Sequence, residues 1–350
     1  MAKLYNKPLF GLDLSTTAVK AVEVDRRGRT YRLRGYAIEP LPPEVINDHA
    51  VVNPDTVAAA ITRARKGAKA SHKFVAASVA GAAVITKKIS IPAGLDELGQ
   101  QSQVEMEADH HLPAGIESMY LDYQVLGPDP ADEANQLEVL LVACKRDVVD
   151  GHLQAIEAAG LKASVIDVDP FAVESAFELG APQDYMDKTV ALLNIGAQVT
   201  NINVLHRAQS IFTRDHYFGG QQLVESMAES YGWEDAQAEQ RLARDDLPAD
   251  YPERVLNPYL RNLALEIGRS LDFYASNQPD HPIDWVVVSG GCALLPGLTE
   301  ALQEQLDVQV TIAKPFAGMK IGGGLKRGNL DRVAPRLMVA TGLALRSFDP

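Results

Sequence analysis

Residues 9–24 read LFGLDLSTTAVKAVEV. An apolar run, Leu9, Phe10, Leu12 and Leu14, carries Asp13 near its end; Ser15, Thr16 and Thr17 follow, and Ala18 to Val24 resumes an alternating pattern containing Lys20. The order predicts a strand, a polar turn and a second strand. Small hydroxyl residues in such a turn can leave successive backbone N–H groups aimed at an anion, the kind of nest a triphosphate fits. Lys20 would add a positive charge. Asp13 would repel phosphate, so its task there would be to hold hydrated Mg2+, an ion that keeps most of its waters and binds through one or two carboxylates. The other reading is an ordinary hairpin with a polar turn, since polar residues dominate turns in general. The stretch by itself leaves both open.

The layout returns in the second half, where Val190 to Leu205 reads VALLNIGAQVTNINVL: an apolar strand, a small polar turn and an alternating strand. No long identity links the two stretches, but the physical arrangement is the same. Further on, Phe218-Gly219-Gly220 precedes a helical pattern. Trp285 to Ser289 is a short apolar strand running into Gly290-Gly291, a pair that would let a flat ligand approach the backbone.

At 350 residues with 46% hydrophobic and 23% charged side chains, the chain is long enough for about two domains with sizeable cores. Its net charge of −13 opposes a large nucleic-acid surface and adsorption to anionic lipid. Cys144 and Cys292 are far apart and lack a CxxC partner, which points to a reducing compartment and buried free thiols. No signal-peptide pattern follows Met1 to Asn6, and apolar runs such as Val139 to Cys144 fall far short of the ~20 residues of a membrane span. A cytoplasmic protein is expected.

Between the two hairpins, Tyr31 to Ile38 reads as a third strand and Pro54 to Ala68 as a helix capped by Asn53. Phe74 to Ile91 predicts two strands broken at Gly81. Residues 92–165 form an inserted αββαβ unit: a polar helix over Leu95–His111, strands over Tyr120–Leu126 and Leu137–Cys144, an amphipathic helix over Lys145–Ala159 and a strand over Lys162–Val168. A helix over Pro170–Leu179 starts directly after Asp169, whose two readings are a site carboxylate and a helix N-cap. Later helices are predicted over Gln221–Tyr231, Trp233–Ala243 and Val255–Ser276, and a last apolar one over Pro335–Ser347, where Ala340, Gly342 and Ala344 allow close packing. His110 and His111 lack the further ligands a metal site needs. Gly322 to Gly324 lacks the GK[ST] of a phosphate loop, and Cys292 has no adjacent base.

Two matching hairpins followed by VVVSGG form a constellation that resembles the actin-like ATPase superfamily. Its two phosphate hairpins correspond to Gly11–Thr17 and Asn194-Ile195-Gly196-Ala197, its adenosine motif to Val286–Gly291, and the Asp13-to-Lys20 spacing to the phosphate-contacting lysine of actin. Within it the chain resembles the PilM family of type IV pilus assembly proteins, related to the division protein FtsA. That resemblance covers essentially the whole length, including SVAGAAVITKKI, FGGQQL, EIGRSLDFYAS and VATGLALRS. It implies an α/β fold of two lobes around a nucleotide cleft. Residues 1–91 and 166–187 would be subdomain 1A, 92–165 an inserted FtsA-type 1C, 188–217 and 284–334 subdomain 2A, 218–283 subdomain 2B, and 335–350 a helix returning to 1A.

The resemblance also implies ATP and Mg2+. Asp13, Asp169 and Asn194 would carry any catalysis, with Asp13 holding Mg2+ through water; Ser15, Thr16, Thr17, Lys20, Gly196, Ala197, Gly219, Gly220, Gly290 and Gly291 would bind the nucleotide. Asn194 departs from the pattern, since many members carry an acid there. Without that charge, binding without turnover, or slow turnover at most, is expected. The implied partner is the N-terminal cytoplasmic peptide of the membrane protein PilN, in a groove beside the inserted unit, together with other inner-membrane pilus components. The membrane would be reached through partners, no nucleic acid is implied, and self-association is compatible. Two other readings stand beside it. A division or secretion scaffold like FtsA should end in an amphipathic anchor, for which Arg346–Pro350 leaves no room. A small-molecule kinase needs a general base, and no convincing second carboxylate is visible.

Overall fold

The computed structural model describes residues 8–47, 49–80, 83–112 and 115–349. The chain opens with strands β1 (Leu9–Leu14), β2 (Ala18–Arg27) and β3 (Thr30–Pro40), the short pair β4 (Ile46–Asn47) and β5 (Ala50–Val51), helix α1 (Pro54–Gly67) and β6 (Phe74–Val79). It continues through β7 (Val84–Pro92), α2 (Glu97–His111), β8 (Met119–Pro128), β9 (Gln136–Lys145), α3 (Arg146–Ala158), β10 (Lys162–Val168) and α4 (Asp169–Gly180). The second half holds β11 (Thr189–Ile195), β12 (Thr200–His206), β13 (Gln209–His216), α5 (Gly220–Tyr231), α6 (Asp235–Arg244), α7 (Asn257–Asn277) and β14 (Trp285–Gly290). It closes with α8 (Leu298–Leu306), β15 (Gln309–Ile312), β16 (Lys320–Ile321), α9 (Arg327–Asp331) and α10 (Met338–Leu345).

The first lobe is a six-stranded sheet in the order β10-β6-β1-β2-β3-β16. Every residue of β1 is buried, because helices cover both faces of the sheet. On one face Phe10 and Leu12 pack with Val57, Ile61 and Ala64 of α1 and with Ala155 and Ile156 of α3. Helix α1 begins as its sequence predicts, with Asn53 Oδ1 accepting from the N–H of Thr56 at 3.0 Å and Pro54 in the first turn. On the other face α10 lies so close that a Cβ at Gly11 would stand 2.0 Å from the carbonyl oxygen of Ala340.

A separate three-stranded sheet, β7-β9-β8, packs its apolar face on Val104 and Ala108 of α2. Its bounds correct the expected unit of residues 92–165. Val84–Pro92 pairs along its whole length with β9, so the unit's sheet starts at Val84, while α3 packs on α1 and β10 pairs with β6 in the main sheet. The two strands expected over Phe74–Ile91 join different sheets, β6 beside β1 and β7 beside β9, and only the pairing separates them. The break expected at Gly81 lies outside the described residues.

The second lobe repeats the antiparallel opening in a five-stranded sheet, β13-β12-β11-β14-β15, with β11, β14 and β15 parallel. Its core joins Leu193, Ile195 and Ile202 to Leu223 and Met227 of α5 and to Leu263, Ile267 and Tyr274 of α7. A π-helical turn, Pro252–Leu256, leads into α7. The helix predicted over Pro335–Ser347 is three pieces: a 3-10 turn at Ala334–Leu337, α10, and a 3-10 turn at Arg346–Phe348. Helices α4 and α10 join the lobes through a core that mixes Leu9 and Ala76 of the first sheet with Val190, Leu192 and Val287 of the second.

Candidate functional site

In the first hairpin Asp13 and Lys20 occupy paired positions of β1 and β2, and Lys20 Nζ donates to Asp13 Oδ2 at 2.8 Å. The lysine expected to face phosphate thus neutralises the carboxylate beside it. Ser15, expected among the phosphate donors, uses both its groups inside the turn: its N–H donates to the Ala18 carbonyl at 3.1 Å and its hydroxyl to the same oxygen at 2.9 Å. A turn of only three residues has to close on itself, and Ser15 closes it. Among the described residues no protein acceptor takes the N–H groups of Thr16 or Thr17.

In the second hairpin the N–H of Gly196 closes the turn on Val199 O at 2.9 Å, and the turn carbonyls are taken up by α5: Gly220 N–H donates to Gly196 O at 3.0 Å and Gln221 N–H to Ala197 O at 2.7 Å. Gly219 and Gly220, expected to bind nucleotide, let the helix start reach this turn. A Cβ at Gly219 would stand 2.5 Å from Gly196 O, and one at Gly220 would stand 2.9 Å from Cys292 Sγ. Gly219 is further tied by its N–H to Gln222 Oε1 and by its carbonyl, which accepts from Tyr259 OH at 3.0 Å. The two glycines of the third motif also divide their work. Gly290 has φ +94° and a Cβ there would meet Ile195 O at 2.3 Å, so the seam with β11 demands glycine; Gly291 is exposed with open space before it, the face a flat ligand could reach. The N–H groups of Ala197 and Gln198 have no protein acceptor among the described residues.

Asp169 sits in the first turn of α4 without capping it, since the cap position is Val168. Its carboxylate accepts from Ser78 Oγ at 2.5 Å, which removes the N-cap reading. Burial, then the negative charge of Asp13, push its pKa up to about 7 against the hydrogen bond from Ser78 and the charge of Lys20; Asp215 of the second lobe raises it further. Asp13 of the same lobe and Asp215 of the other therefore both lie within electrostatic reach of Asp169.

Sequence reading missed four members of this cluster: Ser78, Asp215, His49 and His152. His152 on α3 is buried, and desolvation lowers its pKa, so the ring is neutral at pH 7; His49 and Asp13 act on it as neighbouring charges. The alternation of β12 and β13 could have found Asp215, because it places Asn201 and Asp215 on one sheet face. Asn194 is where expected at the end of β11, and its Oδ1 accepts a long bond from Ser289 Oγ at 3.4 Å. Cys144 and Cys292 are free and buried, and burial pushes both thiols up to about 11, as packed thiols rather than nucleophiles. His110 and His111 are exposed at the end of α2. Among the described residues, no group of three or more His, Cys, Asp or Glu is placed to ligate a metal directly.

Beside Gly219 a groove of about 420 Å3 opens between α5 and α7, lined by Phe218, Gln222, Ser226, Arg254, Tyr259 and Asn262. A larger concavity of about 960 Å3 runs along β15 and α8, away from the hairpins.

The model of the family "Type IV pilus assembly protein PilM" matches residues 11–348. A solved PilM-PilN type IV pilus biogenesis complex is similar to this chain at 26% identity over 99% of this chain and 100% of that one, with a TM-score of 0.86. The ethanolamine utilization protein EutJ from Carboxydothermus hydrogenoformans is similar in fold, at 19% identity over 97% and 89% of the two chains and a TM-score of 0.56. Two hairpin-led sheets joined by α4 and α10 are the actin-like ATPase fold. With that fold over its whole length and a family match from Gly11 to Phe348, the chain belongs to the PilM family of type IV pilus assembly proteins.

Proposed function

We propose that this protein is an ATP- and Mg2+-binding scaffold of type IV pilus assembly that docks on the N-terminal cytoplasmic peptide of a PilN-type inner-membrane protein. The observation that carries the reading is the full-length likeness to a PilM solved together with PilN. The residues present suit a nucleotide: Thr16, Thr17, Ala197 and Gln198 offer amides with no protein acceptor among the described residues, and Gly291 offers an open backbone face. Asp13 would hold hydrated Mg2+ through water, in keeping with an ion that retains its own shell. Bound Mg2+ neutralises phosphate charge. Asn194 adds no charge, so the site holds nucleotide and turns it over slowly.

For the partner, the unit of β7, α2, β8 and β9 is the place we assign. Of eleven large hydrophobic residues that are exposed among the described residues, five belong to it: Leu98, Met106, Tyr120, Val125 and Leu126. Strands β7 and β8 are both sheet edges, and an extended peptide adds to such an edge by main-chain hydrogen bonds. Among the described residues no helix is long and apolar enough to cross a membrane, which is compatible with recruitment to the inner membrane through partners. A free peptide pays ordering entropy, so micromolar affinity is expected. Titration of the labelled N-terminal cytoplasmic peptide of the PilN protein from the same organism tests this. Wild type should bind, and Leu98→Asp with Val125→Asp should weaken binding about tenfold or more. A wild-type protein that ignores the peptide overturns the docking function, and an unaffected double variant overturns the surface.

A further inference from the structure

Four side chains form one row across the second-lobe sheet. Ser289 of β14 pairs with Asn194 of β11, Asn194 pairs with Asn201 of β12, and Asn201 pairs with Asp215 of β13. Directly paired residues share a sheet face, so all four point the same way. That face is the one toward the first lobe, because the charge of Asp215 acts on Asp169 and His49 acts on Asp215. Asn201 Nδ2 donates to Asp215 Oδ1 at 2.7 Å, which fixes the carboxylate in place. Among the described residues, Asn201 is the one hydrogen-bond donor to this carboxylate.

The row bears on the position where this chain lacks an acid. Asn194 can accept or donate a hydrogen bond but brings no negative charge, whereas Asp215 stands two strands away on the same face. Asp169 opens α4 on the first lobe, so it supplies no charge from the second. Asp13 already has Lys20 as its counter-charge. Asp215 is partly buried, and desolvation raises its pKa, against the hydrogen bond from Asn201 and the charge of His49. A carboxylate kept from water in this way gains more than an exposed one from a nearby hydrated cation.

We propose that Asp215, held by Asn201, is the second-lobe carboxylate for the hydrated Mg2+ of a bound nucleotide, in the role that Asn194 cannot fill. This rests on the nucleotide reading above. The contact runs through the ion's water, so it fits the absence of a direct metal-ligand cluster among the described residues. Asp215 would thus hold the ion's water from the second lobe while Asp13 held it from the first.

The test is ATP binding to the full-length protein by calorimetry, in MgCl2 and again in EDTA. Wild type should bind more tightly with Mg2+ than without. Asp215→Asn keeps an acceptor for Asn201 and should lose about tenfold of that Mg2+ enhancement, the scale of one charge-assisted contact, with no loss of affinity in EDTA, where removing a negative charge relieves repulsion of the phosphates. Adding Asn194→Asp to Asp215→Asn should restore the enhancement. Full enhancement in Asp215→Asn overturns the proposal, as does an equal loss in both arms with a lowered melting temperature, which would make Asp215 a structural strut. Wild type that binds no ATP in either arm removes the nucleotide reading itself, a result distinct from both.

Discussion

Lys20 Nζ lies 2.8 Å from Asp13 Oδ2 at directly paired positions of β1 and β2, with the carboxylate 6% and the ammonium group's side chain 15% exposed. Removing one partner leaves the other desolvated without its counter-charge. Lys20→Met should therefore destabilise the fold by about 3 kcal/mol. The double variant Asp13→Asn, Lys20→Met should recover most of that in urea denaturation and still fail to respond to Mg2+ and ATP, which separates the pair's structural role from its role in the site.

The crossing of α4 and α10 depends on Gly342. A Cβ there would stand 1.7 Å from the Ala172 carbonyl oxygen, a backbone atom that cannot swing aside. Gly342→Ala should cost about 3 kcal/mol, the upper range of overpacking, and Gly328→Ala, with nothing within 4 Å of the new Cβ, should leave the urea midpoint unchanged or raised. Equal midpoints for the two variants would remove the close crossing.

Glu174 on α4 gives the fold a pH dependence. Burial first, then the charge of Glu178, push its pKa up to about 7 from 4.5, against Asn203 and Arg346. The folded state then holds a proton that the unfolded chain has released, so this residue's stabilising contribution is complete below about pH 4.5 and is lost as pH rises toward 7. The loss should be on the order of 2 kcal/mol after allowance for partial exposure. Glu174→Gln should flatten that part of the profile in nucleotide-free protein, and a wild-type profile with no decline attributable to Glu174 would contradict the assignment.

Both hairpins were legible because strand periodicity and small polar turns are local features, and so was Asn53 as the cap of α1. The way the glycines divide their work was not. Gly219, Gly220 and Gly290 look like ligand-facing glycines in the sequence, yet backbone fills the space a Cβ would need at Gly219 and Gly290, and the Cys292 thiol fills it at Gly220. Alternation in β12 and β13 puts Asn201 and Asp215 on one face, but their alignment with Asn194 depends on register across three strands, so Asp215 escaped notice. The bounds of the inserted unit differ at both ends for a similar reason: which sheet β7 and β10 join is set by pairing across the chain, not by a local pattern.

Turnover should be slow. With Asn194 adding no charge, the ATPase rate under single-turnover conditions should stay well below ~1 per second, the lower range of phosphoryl-transfer enzymes such as kinases. Asn194→Asp should raise it. A wild-type rate at or above that value would indicate a motor or kinase.

If the two hairpins and the Gly290-Gly291 turn together hold a Mg2+-nucleotide, thermal unfolding of the purified protein with ATP and Mg2+ will register it. A ligand bound only by the folded state adds about 2.7 kcal/mol at a hundredfold excess over its dissociation constant. Wild type should therefore melt several degrees higher with the nucleotide, and Asp13→Ala should lose most of that shift. No shift for wild type with any purine nucleotide would contradict the account.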